Sequence, residues 1–155
     1  MVPNDFAILI ISHGRPDKMR VIHAMKKINY TGKYYIIIDN EDSTADEYYR
    51  LFGDKVIMFD KSKLDGTFDI MDNFDGRSVP VFARNVLYDI ARDLGLKYFL
   101  ELEDDTMDFV HRYVNKDNRL GSMRVRDFDS IVNAMLEFLE TSNADVVAFI
   151  QGGDL

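Results

Sequence analysis

The chain has 155 residues, 46% hydrophobic and 30% charged, which is the composition of a folded protein with one ordinary core rather than of a disordered segment. It contains no cysteine, so disulfides, thiolate metal sites and cysteine nucleophiles are excluded. Lys plus Arg is 19 against 27 Asp plus Glu, and the resulting net charge of −8 argues against tight nonspecific nucleic-acid binding, while leaving room for a local basic groove.

No apolar run approaches the ~20 residues that a membrane helix needs. The start, Met1-Val2-Pro3-Asn4-Asp5, lacks the basic and apolar regions of a secretory signal. Together these point to a cytoplasmic protein with no membrane partner.

Phe6-Ala7-Ile8-Leu9-Ile10-Ile11 is a continuous apolar run, expected of a strand buried on both faces. It breaks at Ser12-His13-Gly14-Arg15, and Pro16 suits the first turn of a helix whose Met19, Ile22, Met25 and Ile28 recur at helical spacing. Thr31-Gly32 turns into a second strand, Tyr34 to Ile38, which ends in Asp39-Asn40-Glu41-Asp42. Thr44 with Glu47 fits a capping box for a short helix through Phe52. After Gly53-Asp54 a third strand, Val56 to Phe59, ends in Asp60-Lys61.

The stretch from Ser62 to Ser78 is polar and aperiodic, and loops of that length inside compact domains are usually functional or mobile. Beyond Pro80, the residues Phe82, Val86, Leu87, Ile90, Ala91 and Leu94 make one helical face, closed by Gly95. Next comes Leu96 to Leu102, a strand tipped by Glu103-Asp104-Asp105. Phe109, His111 and Tyr113 alternate as in an extended segment leading away from that tip. Asp127 is placed to cap a helix with the core face Phe128, Ile131, Val132, Met135, Leu136 and Leu139. Asp145 to Ile150 reads as a last core strand, and its position so near Leu155 suggests the N-terminal part of a longer protein.

Strands alternating with helices imply an α/β fold, a three-layer sandwich around a mostly parallel sheet. Three strand ends carry ligand-capable groups, Ser12 to Arg15, Asp39-Asn40, and Glu103 to Asp105. A parallel sheet gathers such ends on one edge, where open α/β sheets bind ligands. An acidic triplet standing alone is more often a solvated turn. Beside the other two ends it becomes a candidate site, since three close carboxylates repel and a hard divalent cation, Mn²⁺ or Mg²⁺, relieves them while keeping open positions for phosphate oxygens. Asp39 can accept from a base N–H or a ribose hydroxyl. Arg84 and Asn85, in the first turn of the helix after Pro80, can meet a phosphate at a helix N-terminus. Neither a GxxxxGK[ST] loop nor a GxGxxG fingerprint occurs, which disfavours an ordinary ATPase or a dinucleotide oxidoreductase.

The order of these elements resembles the GT-A glycosyltransferase fold, with its base-binding acid and its Asp-x-Asp-type motif. Finer stretches resemble the phage-associated TET-associated glycosyltransferases: Ile11 to Pro16, Ile38 to Asp42 with Thr44 to Tyr49, Val56 to Lys61, Asp72-Asn73-Phe74, Ala83-Arg84-Asn85, and Gln151-Gly152-Gly153-Asp154. The resemblance implies a metal-dependent hexosyltransferase with a UDP-sugar donor, acting on hydroxymethylated pyrimidines of DNA, in the host cytoplasm if phage-encoded.

By that resemblance Ser12, His13, Gly14, Arg15 and Asp39 hold uracil and ribose, while Arg84 and Asn85 face the ribose-diphosphate. Asp105 binds the metal, and Glu103 and Asp104 contact ribose or donor sugar. Glu103 stands where many relatives carry Asp, which leaves the division of labour among the acids open. Asp154 falls on the acceptor side as a general base.

Two other readings compete with this one. A nucleotidyltransferase making nucleotide sugars would carry a glycine-rich basic loop, for which Arg15-Pro16-Asp17-Lys18 is a poor substitute. A non-catalytic nucleotide-binding domain is the other. Lys61 and Lys63 read equally as phosphate ligands or as solvated loop cations, and Tyr48-Tyr49 as packing. Arg124 and Arg126 read better as a solvated pair than as a DNA groove, and without a second histidine at ligand spacing His13, His23 and His111 make no zinc site.

Overall fold

The computed structural model describes residues 1–69, 76–77 and 80–150. Strands β1 (Phe6–Ile11), β2 (Lys33–Asp39), β3 (Val56–Phe59) and β4 (Tyr98–Glu103) form one parallel sheet in the order β3-β2-β1-β4. All six residues of β1 are buried, because β1 has a strand on each side and helices above and below.

Alternate side chains of the strands feed two cores. Ile8, Ile10, Ile36 and Ile38 pack with residues of α1 (Arg20–Lys27), α2 (Ala45–Phe52) and α4 (Phe128–Thr141), among them Val21, Met25, Tyr48 and Phe128. Ala7, Leu9, Ile11 and Ile37 face the other way, onto Phe82, Leu87 and Ile90 of α3 (Val81–Asp93). The result is three layers, a mixed α/β architecture compatible with a Rossmann-like fold. Chain order explains the layering. Right-handed crossovers from β1 outward to β3 put α1 and α2 on one face, and the return from β3 to β4 runs the opposite way and puts α3 on the other. Between β1 and β4 the direction of winding reverses, and a crevice opens at the carboxyl ends.

Several local expectations shift. The buried stripe of α1 is Val21, Ala24, Met25 and Ile28, an i, i+3, i+4, i+7 pattern, while Ile22 is only partly buried. Thr44 does occupy the N-cap of α2 but makes no side-chain cap bond. Its hydroxyl donates instead to Asp42 Oδ1 at 2.6 Å, and Glu47 pairs with Arg50, so no capping box forms. Asp127 caps α4 as expected, accepting from the Ser130 amide at 3.1 Å.

Two larger differences lie after β4. The extended segment is β5 (Val110–Val114), and it pairs antiparallel with a strand that the sequence pattern did not signal, β6 (Leu120–Arg124). The pair makes a separate two-stranded sheet. Asp145 to Ile150 forms no strand, and β4 remains an edge among the described residues. Val146 and Ile150 of that run are exposed. One aromatic anchors it: Phe149 packs against Phe109 and Phe128, with ring centroids 5.5 and 5.9 Å away.

Candidate functional site

The turn after β1 is fastened to both neighbouring strand ends. Ser12 Oγ donates to Asp104 Oδ2 at 2.6 Å and lies 2.6 Å from the Tyr48 hydroxyl. Because the serine proton goes to the carboxylate, Tyr48 is the donor to Ser12, and Tyr48 in turn accepts the Arg15 amide at 3.0 Å. Arg15 Nη2 sits 2.8 Å from Asp104 Oδ1, too oblique for a hydrogen bond, so this buried oxygen has a countercharge but no donor. Burial pushes the Asp104 carboxyl above its ordinary range, against the hydrogen bond from Ser12 and the charge of Arg15, with Asp105 and Glu103 adding to the rise.

On the β2 side, His13 Nδ1 is 2.8 Å from Asp39 Oδ2, and the Glu41 amide donates to Asp39 Oδ1 at 3.0 Å. Gly14 turns its amide onto Asp42 Oδ2 at 2.7 Å. That turn needs a left-handed backbone, φ +70°, which glycine adopts without strain. Asp42 also accepts the amide and hydroxyl of Thr44. Burial alone would raise the Asp42 carboxyl, but the bonds from Thr44 and Gly14 and the charge of His13 outweigh it and hold it below the usual carboxylate range.

Three buried acids therefore face one four-residue turn: Asp39 meets His13, Asp42 meets Gly14, and Asp104 meets Ser12 and Arg15. The crevice beside this turn has a volume of about 190 Å³. Its apolar floor is Ile11, Phe59 and Phe82, and its polar walls are Ser12, His13, Arg15, Asp39, Lys61, Glu103 and Asp104. A drug-sized pocket spans roughly 300–1,000 Å³. This one is smaller, so a ligand of that size would occupy it in part and extend along the open sheet edge.

The sequence matches the family TET-Associated Glycosyltransferase over residues 6–154. The chain belongs to that family. Glycosyl transfer is accordingly its class of activity. No curated protein and no solved structure matches it significantly.

For a TET-associated glycosyltransferase, the distribution of the expected site residues is informative. Ser12, His13, Gly14, Arg15, Asp39, Glu103 and Asp104 are brought together at the crevice or in the turn beside it. Arg84 reaches the same edge from α3, where Nε bonds Glu101 at 2.9 Å and Nη2 bonds Glu103 at 2.5 Å. Its charge thus meets two acids of β4 at rest. Asn85 does not join the crevice, because its side chain donates to the Val81 carbonyl at 2.8 Å. Asp105 is exposed at the tip beyond β4, with no hydrogen bond or ion pair among the described residues. Asp154, with the rest of Gln151 to Leu155, and Asp72-Asn73-Phe74 lie outside the described residues.

Three residues enter the site in roles that the sequence did not assign to them. Tyr48 is fully buried and packs as expected, yet its hydroxyl organises the turn. Asp42 stands at the end of the Asp39 loop, and its spacing gave no sign of which of four polar residues would point inward. Lys61 is only 3% exposed and is neither a solvated cation nor a free phosphate ligand. Its ammonium lies 2.9 Å from Asp39 Oδ1 and donates to the Arg77 carbonyl at 2.8 Å.

Among the described residues no group of three His, Asp or Glu side chains is gathered to hold a metal. Glu103 is bonded to Arg84 and Asp104 to Ser12, which leaves Asp105 as the uncommitted carboxylate of the triplet. One carboxylate suffices for Mg²⁺ or Mn²⁺ when phosphates and waters fill the other positions. The donor set fits a cation that arrives with a polyphosphate, and does not fit a permanent protein-caged metal.

Proposed function

We propose that this chain binds a UDP-sugar, with Mn²⁺ or Mg²⁺, and transfers the sugar to a hydroxymethylated pyrimidine in DNA. The observation that carries the reading is the crevice at the winding reversal, where Asp39 stands on one wall and the acids of β4 on the other. In this reading the pyrimidine lies over Ile11 and Phe59, with Asp39 accepting from its N–H or from a ribose hydroxyl. His13 covers Asp39 at rest and yields its place to the nucleotide. Ser12 and Arg15 hold Asp104 in place beside the ribose, and Arg84 leaves Glu101 and Glu103 for the diphosphate, whose charge is greater.

Asp105 holds the cation, which when bound supplies Lewis-acid stabilisation of the departing diphosphate. Glu103, freed by Arg84, faces the donor sugar. Asp154 is the candidate base for the acceptor hydroxyl.

The test is calorimetric titration of the chain with UDP and with UDP-glucose, with and without Mn²⁺. Metal-dependent UDP binding that Asp105→Ala abolishes is the expected result. Absence of UDP binding under both conditions removes the reading in favour of a domain with another ligand.

A further inference from the structure

The β5–β6 hairpin combines a local excess of positive charge with exposure on both of its faces. Between Phe109 and Arg126 there are five cations, Arg112, Lys116, Arg119, Arg124 and Arg126, against the single acid Asp117, in a chain of net charge −8. Arg124 is paired with Asp108 at 2.8 Å. The other four have no acidic partner among the described residues, so their charge is available to a ligand.

Every residue of the two strands except Gly121 is exposed, so the ribbon stands in solvent on both faces. It is nevertheless held firmly. At its base Phe109 and Val125 are buried, joined by the Val125 amide to the Phe109 carbonyl at 3.0 Å, and Phe109 packs on Phe128 with centroids 4.6 Å apart. At its tip Asn115 Oδ1 accepts the amides of Asp117 and Arg119, which fixes Lys116 and Arg119 at the end of the hairpin. Between these, Tyr113 lies across Gly121, where any larger residue would strike the ring.

An exposed two-stranded ribbon is marginal unless something covers it. Its unpaired cations, set among exposed Val114, Leu120 and Met123, favour a covering surface that is anionic and also offers apolar contact. We infer that the β5–β6 ribbon docks duplex DNA, with Arg112, Lys116 and Arg119 on phosphates and the ribbon lying in the major groove. That groove, about 12 Å wide, admits a two-stranded β-ribbon. Five-residue strands give a reach of about 17 Å. The deep, narrow major groove of A-form RNA does not admit one. The ribbon begins five residues after Asp105, so DNA seated on it lies beside the acid edge. The proposal rests on the DNA-acceptor reading above and adds where the acceptor is held.

The experiment uses the whole chain, a short fluorescein-labelled DNA duplex at low salt, and anisotropy as the readout. The triple charge reversal Arg112→Glu, Lys116→Glu, Arg119→Glu touches only exposed side chains, and circular dichroism confirms its fold. It weakens DNA binding about tenfold or more and reduces the slope of log affinity against log salt by about 3. Reversing Lys55, just before β3 at the opposite edge of the sheet from β4, leaves DNA affinity within about twofold, since a single surface charge there acts only through screened solvent. Unchanged binding in the ribbon variant overturns the proposal. So does equal binding of an RNA duplex, or a protein dimer in the absence of DNA that the ribbon variant dissolves. UDP binding measured on the same samples separates the two readings. DNA binding that is unaffected by the ribbon variant, with UDP binding intact, sinks the ribbon alone, and ribbon-dependent DNA binding without UDP binding sinks the donor site alone.

Discussion

Lys61 Nζ lies 2.9 Å from Asp39 Oδ1, with both side chains withdrawn from water. A buried pair of this kind adds little over a well-packed apolar pair, but removing Lys61 leaves the buried Asp39 with only His13 and the Glu41 amide beside it. Lys61→Met therefore destabilises the protein by about 3 kcal/mol, the low end for a broken buried pair, since His13 and the Glu41 amide remain on Asp39. The added substitution Asp39→Leu recovers much of that loss while abolishing UDP binding. Urea unfolding with parallel UDP titration checks both statements, and a double variant no more stable than the single one contradicts the pairing.

The hydroxyl of Tyr48 is a hinge pin for the turn after β1, since it both donates to Ser12 and accepts from Arg15. Tyr48→Phe keeps the buried ring and removes only these bonds. The expected cost is about 1–3 kcal/mol, the penalty for leaving a buried polar partner unsatisfied. Hydrogen exchange localises the effect: the Arg15 amide loses protection while amides of β2 and β3 keep theirs. Uniform loss across the sheet would mean that the ring, not the hydroxyl, was disturbed.

Asp42 ties the acid side of the stability profile to the same turn. Its carboxyl is held below the usual range, so the folded protein binds a proton there less readily than the unfolded chain does. The corresponding stability is present in full at neutral pH. It drains away as pH falls from the unfolded carboxylate value of about 3.9 through the lower folded value. Asp42→Asn lowers stability at pH 7 and flattens the decline below pH 4. Urea midpoints across that range test it, and an unaltered acid limb refutes it.

The sheet and its helices were largely legible because burial on two faces demands long apolar runs. Phe6 to Ile11 has no other reading, and Asp39 and the β4 acids had to converge once the strands were parallel. The misread segments are those where burial and pairing part company. Leu120-Gly121-Ser122-Met123-Arg124 forms β6 without apolar alternation, because it pairs through its backbone and buries nothing. Asp145 to Ile150 has the apolar content of a strand, yet only Phe149 is needed in the core, and the backbone stays unpaired. Within the site, the identity of the acids was readable but their partners were not. Lys61 and Lys63 are indistinguishable in sequence, and only the fold of the Asp60 turn sends Lys61 inward to Asp39.

The ion pairs of Arg84 set up a competition whose two sides move donor affinity in opposite directions. At rest its guanidinium is shared between Glu101 and Glu103, both partly solvated, so the pairs are weak enough for a diphosphate to displace them. Arg84→Ala removes a charge-assisted contact and weakens UDP binding by about tenfold, the lower end of what such a bond contributes. Glu101→Gln removes a competitor, and with an exposed pair worth under about 1 kcal/mol the gain is a tightening of two- to threefold. Titrations at matched Mn²⁺ concentration read both. An arginine that serves only to neutralise β4 would leave UDP affinity unchanged on truncation and would respond to Glu101→Gln through stability alone.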